Sequence, residues 1–292
     1  MIETIDIAGW HDPIDGATRT KATQALERGA VLFFPRLRFD LGNDESRFLS
    51  PAVGDGKAKN ISLDHTSGRL QATALKGDDA AALAAMIERF GANATRLVGE
   101  LLPYRDVERA RTSFRPVEVE GRNYSPINDD RLLHVDAFPS RPLNGRRILR
   151  FFCNVAPADY GQDGERHWHV GQPFEDFARA FLSRAKTHTP GKSWLWDKLG
   201  VTRGRRSAYD EMMLSLHNAA KRDSDFQADS PQEDARFPPG SCWLVYTDQV
   251  LHAALGGAFA LEQTFHLGID QMAEPERSPL RVLERLTGKA LA

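Results

Sequence analysis

The chain has 292 residues, 41% of them hydrophobic and 27% charged, which is typical of a globular protein of one or two domains. Its formal net charge of −2 excludes a bulk electrostatic attraction to nucleic acid, so we expect no nucleic-acid partner. Two cysteines in apolar segments, Cys153 and Cys242, predict buried thiols in a reducing compartment and exclude a disulfide-based scaffold.

The N-terminal residues include acids and lack a basic region followed by an apolar core, so we do not expect a signal peptide. No segment reaches the ~20 apolar residues that a transmembrane helix needs. These features predict a cytoplasmic protein, with peripheral contact with the inner membrane left open. We expect residues 1–292 to form one domain.

The first third of the chain is predicted to contain two helices and a buried strand, with loops and short strands from Phe39 to about Gly77. Residues 18–29 indicate a short helix, and residues 30–37 indicate a buried strand that ends at a proline. Residues 78–102 give the clearest helical pattern, with Asp78 or Asp79 as the expected N-cap and Pro103 after its end. We interpret this helix as a packing element.

Short strand-like segments separated by turn residues follow from Thr112 onward. They lie at residues 112–121, 132–138, 146–155, 240–257 and 259–269. A polar insert with helical periodicity, about residues 173–225, separates the third segment from the fourth. Strands on both sides of such an insert favour an antiparallel double sheet over a Rossmann fold.

The segment Arg131–Asp136 carries the chemistry that is hardest to explain by folding alone. On an extended strand His134 and Asp136 project to one face, while Val135 points the other way into packing. An imidazole and a carboxylate are two of the three ligands of the facial triad that binds non-haem Fe(II). The motif is short, and a surface strand is the alternative interpretation.

His252 is the best candidate for the third ligand, because an apolar strand and a short polar loop deliver it beside Gly256 and Gly257. His266 competes with it, and the alternative role of His266 is that of a histidine in the core or next to the ligands. The predicted metal site is therefore His134, Asp136 and His252, and these are also the predicted catalytic residues.

An H-x-D motif followed by a distal His resembles the Fe(II)/2-oxoglutarate-dependent dioxygenases. Further segments, GAVLFFP, RTSFRPVEVEGR and HVDAFPSRPLNGRRILRFFCNV, look like the 3-deoxy-D-manno-oct-2-ulosonic acid (Kdo) hydroxylases. The resemblance implies an α+β fold, mainly β: a double-stranded β-helix (jelly roll) with N-terminal helices and a helical insert. It also implies Fe(II), 2-oxoglutarate and O2, and hydroxylation at carbon 3 of Kdo in Kdo2-lipid A, an anionic glycolipid.

The resemblance leaves open which cation holds the far carboxylate of 2-oxoglutarate. Many relatives place Arg or Lys about ten residues after the distal His, whereas this chain has Leu261, Glu262 and Gln263 there. Arg150 is the best candidate, because an unpaired charge in its apolar strand would cost several kcal/mol. The alternative is an Arg paired with Asp or Glu. Further candidates for cosubstrate binding are Asn154, Tyr124 and Gln263.

Arginines and a tryptophan are the candidates for substrate binding, because arginine forks suit carboxylates and phosphates. They are Arg115, Trp168, Arg205 and Arg206. Solvated surface charges are the alternative for the arginines. The segment His167-Trp168-His169 is read as a loop that either stacks on a sugar or packs as an anchor; no carboxylate has the spacing for a second metal site.

Residues 277–291 predict a C-terminal helix with a basic stripe beside leucines, which suits either an anionic membrane surface or ordinary packing. Two other functions remain open from the sequence. One is an oxygenase of the same superfamily that acts on a soluble small molecule, and the other is a cupin-like sugar-binding module without turnover. The oligomeric state is left open.

Overall fold

The computed structural model describes residues 1–119, 125–185, 198 and 204–292. The strands within these residues are β1 Ile2–Thr4, β2 Val31–Phe34, β3 Ile61–Asp64, β4 Arg69–Gln71, β5 Val107–Arg115, β6 Arg147–Asn154, β7 Arg166–Gly171, β8 Gln232–Phe237, β9 Cys242–Tyr246, β10 His252–Gly256 and β11 Ala260–Leu267. The α-helices are α1 Gly16–Glu27, α2 Gly77–Leu101, α3 Phe174–Phe181, α4 Ala208–Arg222, α5 Ser224–Asp229 and α6 Pro279–Thr287.

Two sheets make up the core of the fold. The larger has the strand order β1-β2-β9-β6-β11-β5-β3-β4, and the smaller has the order β10-β7-β8. Every pairing is antiparallel except that of β1 with β2. The predicted jelly roll is therefore confirmed, with helices at the N-terminus and between β7 and β8.

The central strands of the larger sheet are buried on both faces, which explains their nearly continuous apolar sequences. In β6, Leu149, Phe151 and Cys153 face the core that α1 and α2 cover, while Phe152 faces the smaller sheet. Arg150 shares the parity of Phe152 and therefore lies between the two sheets.

Aromatic side chains fill the space between the sheets. The ring of Trp243 stacks on Phe152 at 5.1 Å and on Phe237 at 4.2 Å, and Trp168 meets Trp243 edge to face at 5.5 Å. Such rings bury large apolar areas in defined geometries, so this stack fixes the separation of the sheets.

A separate apolar cluster joins α3, α4 and α6 to the segment that carries the H-x-D motif. Val135 is fully buried in it, together with Phe177 and Leu251. The expectation that Val135 points into packing, away from His134 and Asp136, is confirmed.

Several predicted elements differ in their bounds or type. Asp78 and Asp79 lie in the first turn of α2, where their negative charges interact favourably with the helix dipole. The N-cap, however, is Lys76. The segment around Trp168 is strand β7 and not a loop, and β8 was not predicted. Within the described residues, every helix is too short or too polar to cross a bilayer.

Candidate metal centre and its surroundings

Backbone hydrogen bonds bring the H-x-D segment beside β10. His134 N donates to His252 O at 3.1 Å, and His252 N donates to His134 O at 2.9 Å. Asp136 N then donates to Thr247 O at 2.7 Å. The segment is thus extended but makes an isolated bridge instead of the predicted strand, and its alternation aims His134 and Asp136 to one side.

The loop before His252 is anchored by a buried ion pair. Arg147, which has no exposed surface, donates to both carboxylate oxygens of Asp248, at 2.7 and 3.2 Å. It also donates to Gln249 at 2.7 Å, and its guanidinium lies 3.8 Å from the Tyr246 ring centre. These contacts fix the loop whose backbone holds both Asp136 and His252.

The three predicted ligands converge. One ligand atom from each of His134, Asp136 and His252 lies within 4.8 Å of the other two, and His266 is not part of the group. His134 Nε2 is 3.9 Å from Asp136 Oδ1, and the two imidazole centres are 4.6 Å apart. The three atoms thus face a common point.

Both imidazoles are in the state that binds a metal. His134 Nδ1 lies 2.7 Å from Leu132 O, and His252 Nδ1 lies 2.9 Å from Val250 O. A carbonyl accepts only from a protonated Nδ1, so each Nε2 keeps its lone pair for a ligand bond. Burial lowers the pKa of both rings, which keeps them neutral near pH 7.

Asp136 supplies the negative charge. Burial opposes its ionisation, but Arg150, followed by His252 and His134, holds the pKa of the carboxyl below its ordinary value. Arg150 Nη2 lies 3.1 Å from Oδ2 of Asp136, yet this oxygen accepts no hydrogen bond from the described residues. The other oxygen, Oδ1, lies toward His134 Nε2, and an ionised carboxylate beside two imidazole lone pairs suits a divalent cation.

A cavity of about 70 Å3 adjoins the triad, and we refer to it as the inner cavity. Besides the triad, its lining includes Arg115, Asp130, Arg150, Arg166, Trp168 and Glu262. Arg150 Nε and Trp168 Nε1 are buried and have no hydrogen-bond partner among the described residues. Two buried donors without acceptors fit the carboxylates of a small dicarboxylic acid.

Arg150 therefore lies where the sequence placed it, and it is also paired with protein carboxylates. Its Nη1 lies 3.3 Å from Glu262 Oε1, in addition to the contact with Asp136. Arg115 also lines the inner cavity. It donates to Asn60 Oδ1 at 2.9 Å and lies 3.5 Å from Asp130 Oδ2. The pairing with protein carboxylates, one of the two alternatives weighed for Arg150, is thus present, and its Nε has no hydrogen-bond partner among the described residues.

Trp168 lies in the inner cavity and not on an exposed loop. Its ring is 3% exposed and stacks on the His252 imidazole at 5.1 Å and 22°. The same alternation of β7 turns Arg166 inward, a cavity residue that sequence reasoning missed. Recognising the period-2 pattern Arg166, Trp168, Val170 as a strand would have found it.

Two predicted cosubstrate ligands lie elsewhere. Gln263 is fully buried on the α2 side of β11, where its Oε1 accepts from Thr112 at 2.6 Å and from Arg109 at 3.1 Å. Asn154 donates to the backbone carbonyls of Gly164 and Phe237 at 2.7 and 2.9 Å. Both side chains use their polar atoms in contacts within the protein and neither lines the inner cavity, so the geometry gives no support for a role in cosubstrate binding.

Arg205 and Arg206, two predicted substrate-binding residues, do not line the inner cavity. Arg206 is 9% exposed and donates to Pro139 O, which anchors the loop after the H-x-D motif, while Arg205 is exposed. Tyr124 lies outside the described residues. The arginine pair in the insert therefore gives no direct support for substrate binding.

A third imidazole, His217 on α4, lies beside the triad and was not singled out from the sequence. Its ring centre is 5.2 Å from that of His134, and its Nδ1 lies 2.8 Å from Val135 O. Burial and then the charge of Lys221 lower the pKa of His217, so it is neutral near pH 7. The contact is long-range in sequence, and periodicity alone gave no indication of it.

A second cluster on the outer face of β7 and β8 unites His167, His169 and Asp234, although no carboxylate was expected there. Asp234 comes from the neighbouring strand, where it accepts from His167 and from Arg236 Nε at 3.1 Å. These contacts satisfy the carboxylate without an ion.

Comparisons with known proteins show similarity over nearly the whole chain. The sequence matches the family described as 3-deoxy-D-manno-oct-2-ulosonic acid (Kdo) hydroxylase over residues 10–290. The crystal structure of the Kdo hydroxylase KdoO, a non-haem Fe(II) alpha-ketoglutarate (2-oxoglutarate) dependent dioxygenase, with alpha-ketoglutarate and Fe(III) is 42% identical, with a TM-score of 0.94 over 100% of this chain and 97% of that chain. Its complex with cobalt(II) is 43% identical, with a TM-score of 0.94 over 99% and 97%. A search of the curated proteins found no match.

Proposed function

The chain belongs to the Kdo hydroxylase family of Fe(II)/2-oxoglutarate-dependent dioxygenases, and we propose that it hydroxylates carbon 3 of a Kdo sugar in Kdo2-lipid A. In this proposal His134, Asp136 and His252 bind the iron, and 2-oxoglutarate leaves as succinate and CO2. The observation that carries the proposal is the convergence of two imidazoles and one carboxylate beside a buried cavity whose lining includes Arg115, Arg150 and Arg166.

Bound iron, with 2-oxoglutarate and O2, supplies the oxidising power to replace a C–H bond by C–OH. The residues of the chain position the reactants. Arg150, Arg115 and Arg166 supply positive charge to the cavity, and Trp168 supplies an indole N–H without an acceptor among the described residues. We assign the carboxylates of 2-oxoglutarate to these donors.

The protein also excludes water from the reacting atoms. His134 and His252 are 5% and 6% exposed, and the ring of Trp168 covers the His252 imidazole. A dry site strengthens charge–charge contacts and protects a strong oxidant from side reactions. The residues therefore favour an oxygenase over a sugar-binding module that has no need of buried donors.

Succinate formation tests the proposal. The wild-type chain, loaded anaerobically with Fe(II) and then given 2-oxoglutarate and O2, should form succinate in proportion to added Kdo2-lipid A and yield a product heavier by one oxygen. If a soluble sugar acid stimulates succinate formation and Kdo2-lipid A does not, the result would favour a small-molecule oxygenase. Succinate at background with every substrate would favour the binding module.

The glycolipid substrate implies work at the cytosolic face of a membrane, and we extend the proposal to peripheral contact through α6. Leu280 and Leu283 of this helix are buried in the protein and pack against its other helices. Arg281 pairs with Glu284 and Arg285 with Glu175, so anionic headgroups have to compete with these pairs. Sedimentation with anionic vesicles, compared with neutral ones, tests the contact.

A further inference from the structure

A second cavity of about 380 Å3 adjoins the inner cavity, and we refer to it as the outer cleft. The two share Asn60, Ser113, Arg150 and Glu262 in their linings. Its volume lies in the range of about 300–1,000 Å3 that is usual for small-molecule sites. A molecule in the outer cleft is therefore in contact with residues that also face the metal centre.

The lining of the outer cleft is cationic and polar. Arg111, Arg141 and Arg150 line it, and among its described lining residues Glu262 is the only carboxylate. Glu262 is already engaged by Arg150 at 3.3 Å and accepts from Thr264 Oγ1 at 3.1 Å. Hydroxyl and amide groups occupy much of the remaining lining, at Asn60, Ser62, Ser113, Ser140 and Thr264.

Arg111 shares the parity of Ser113 and Arg115 on β5, and a β-bulge next to it turns Ala110 to the same side. On β11, Gln263 and Phe265 pair with Thr112 and Arg109 of β5, so Ala110 and Arg111 together oppose a single residue. A bulge interrupts the alternation of side chains. Ala110 and Arg111 therefore both line the cleft, while Arg109 and Thr112 face the opposite side of the sheet.

Gln263 holds the bulge in place. Its Nε2 donates to Ala110 O at 3.3 Å and to Arg111 O at 3.4 Å, the two carbonyls of the bulged residues. The cluster packs tightly under α2, where a Cβ on Gly91 would lie 2.1 Å from Arg109 Nη2. The position of Arg111 is thus built into the core and does not depend on a surface loop.

The guanidinium of Arg111 makes no ion pair or hydrogen bond with the described residues, unlike Arg109, which is bonded to both Glu88 oxygens at 2.7 and 2.9 Å. A guanidinium held in a cleft and left without an anion is suited to bind one from a ligand. Adjacent hydroxyl and amide groups match a polyhydroxylated ligand.

We propose that Arg111, together with Arg141, binds an anionic group of the sugar substrate in the outer cleft and so determines the affinity for the glycolipid. The anion is a carboxylate or a phosphate, since both form two parallel hydrogen bonds with a guanidinium. The inference rests on the proposed function, because we interpret the cleft as the route by which the sugar reaches the metal centre.

Kinetics of Arg111→Gln test this role. We expect the apparent KM for Kdo2-lipid A to rise about 10- to 100-fold, as for loss of a charged hydrogen bond, with little change in kcat. Cobalt(II) affinity and the apparent KM for 2-oxoglutarate should stay at wild-type values. Arg36→Gln is the matched control, because Arg36 is exposed, pairs with Asp6 and lies outside the cleft.

Dephosphorylated Kdo2-lipid A distinguishes the two anions. If Arg111→Gln still raises KM with this substrate, the partner is a carboxylate; if the difference disappears, it is a phosphate. An unchanged KM for the intact glycolipid, or a loss of cobalt(II) affinity in Arg111→Gln, would overturn the recognition role. The wild-type chain tests the proposed function separately: if it forms no glycolipid-dependent succinate, the proposed function fails. The present inference, which rests on that function, then fails with it.

Discussion

Arg150 links the proposed metal ligand to the proposed cosubstrate site, so its replacement should affect both. Its Nη2 lies 3.1 Å from Asp136 Oδ2, its Nη1 lies 3.3 Å from Glu262 Oε1, and its Nε has no partner among the described residues. Arg150→Met keeps much of the apolar stem but removes the charge. We expect weaker metal binding and a higher requirement for 2-oxoglutarate.

The magnitude follows from the contact distance. Two unit charges 3.1 Å apart attract by about 5 kcal/mol at an effective dielectric of about 20, and the desolvation of both groups offsets much of this. Loss of a group that orients a metal ligand typically lowers metal affinity about 10- to 100-fold. Loss of a charged hydrogen bond to 2-oxoglutarate, about 1.5–3 kcal/mol, corresponds to a similar rise in its apparent KM.

Anaerobic titration with cobalt(II), followed by visible absorbance, measures the first effect, and succinate formation at varied 2-oxoglutarate measures the second. Arg150→Lys is the matched variant: it keeps the charge but loses the fork, so its metal affinity should fall less than that of Arg150→Met. Wild-type values of both quantities in Arg150→Met would refute the reasoning and move the cation role to another residue.

Three further predictions concern the same centre. His134→Ala or Asp136→Ala should abolish turnover and leave the far-UV circular dichroism unchanged; residual activity in either would remove the ligand assignment. Asp248→Asn leaves the buried Arg147 unpaired and should lower the free energy of unfolding in urea by about 3–5 kcal/mol, whereas a loss near zero would show that the pair is dispensable. Cobalt(II) and 2-oxoglutarate should strengthen each other's binding about 5- to 150-fold, because a dication and a dianion cancel in a buried site; independent titrations would contradict this.

The sequence predicted that His134, Asp136 and His252 come together because much of their geometry is local. A period of two places His134 and Asp136 on one face and Val135 on the other, and this holds even though the segment makes an isolated bridge instead of a strand. His252 was found from its place after an apolar strand, which depends only on neighbouring residues.

What the sequence could not predict depends on contacts between distant strands. The bulge in β5 turns Ala110 to the same side as Arg111, and nothing in the sequence around these residues indicates it. Gln263 was assigned to the cosubstrate by its distance from His252, whereas Glu262, Thr264 and His266 are the residues of β11 that line the outer cleft. Strand β8 escaped prediction because its residues before Ala235 are exposed charges and amides.

The two sheets contribute different chemistry to the centre. His252 is the first residue of β10 in the smaller sheet. The H-x-D segment makes backbone hydrogen bonds with His252 and with Thr247 in the loop that precedes β10. Arg115, Glu262 and Arg150 come from β5, β11 and β6, which are neighbours in the larger sheet. The ligands and most of the charges therefore meet only across the gap between the sheets. The stacked rings between the sheets set that gap, so the aromatic core acts on the chemistry by holding His252 on the smaller sheet opposite Arg150 and Glu262 on the larger one.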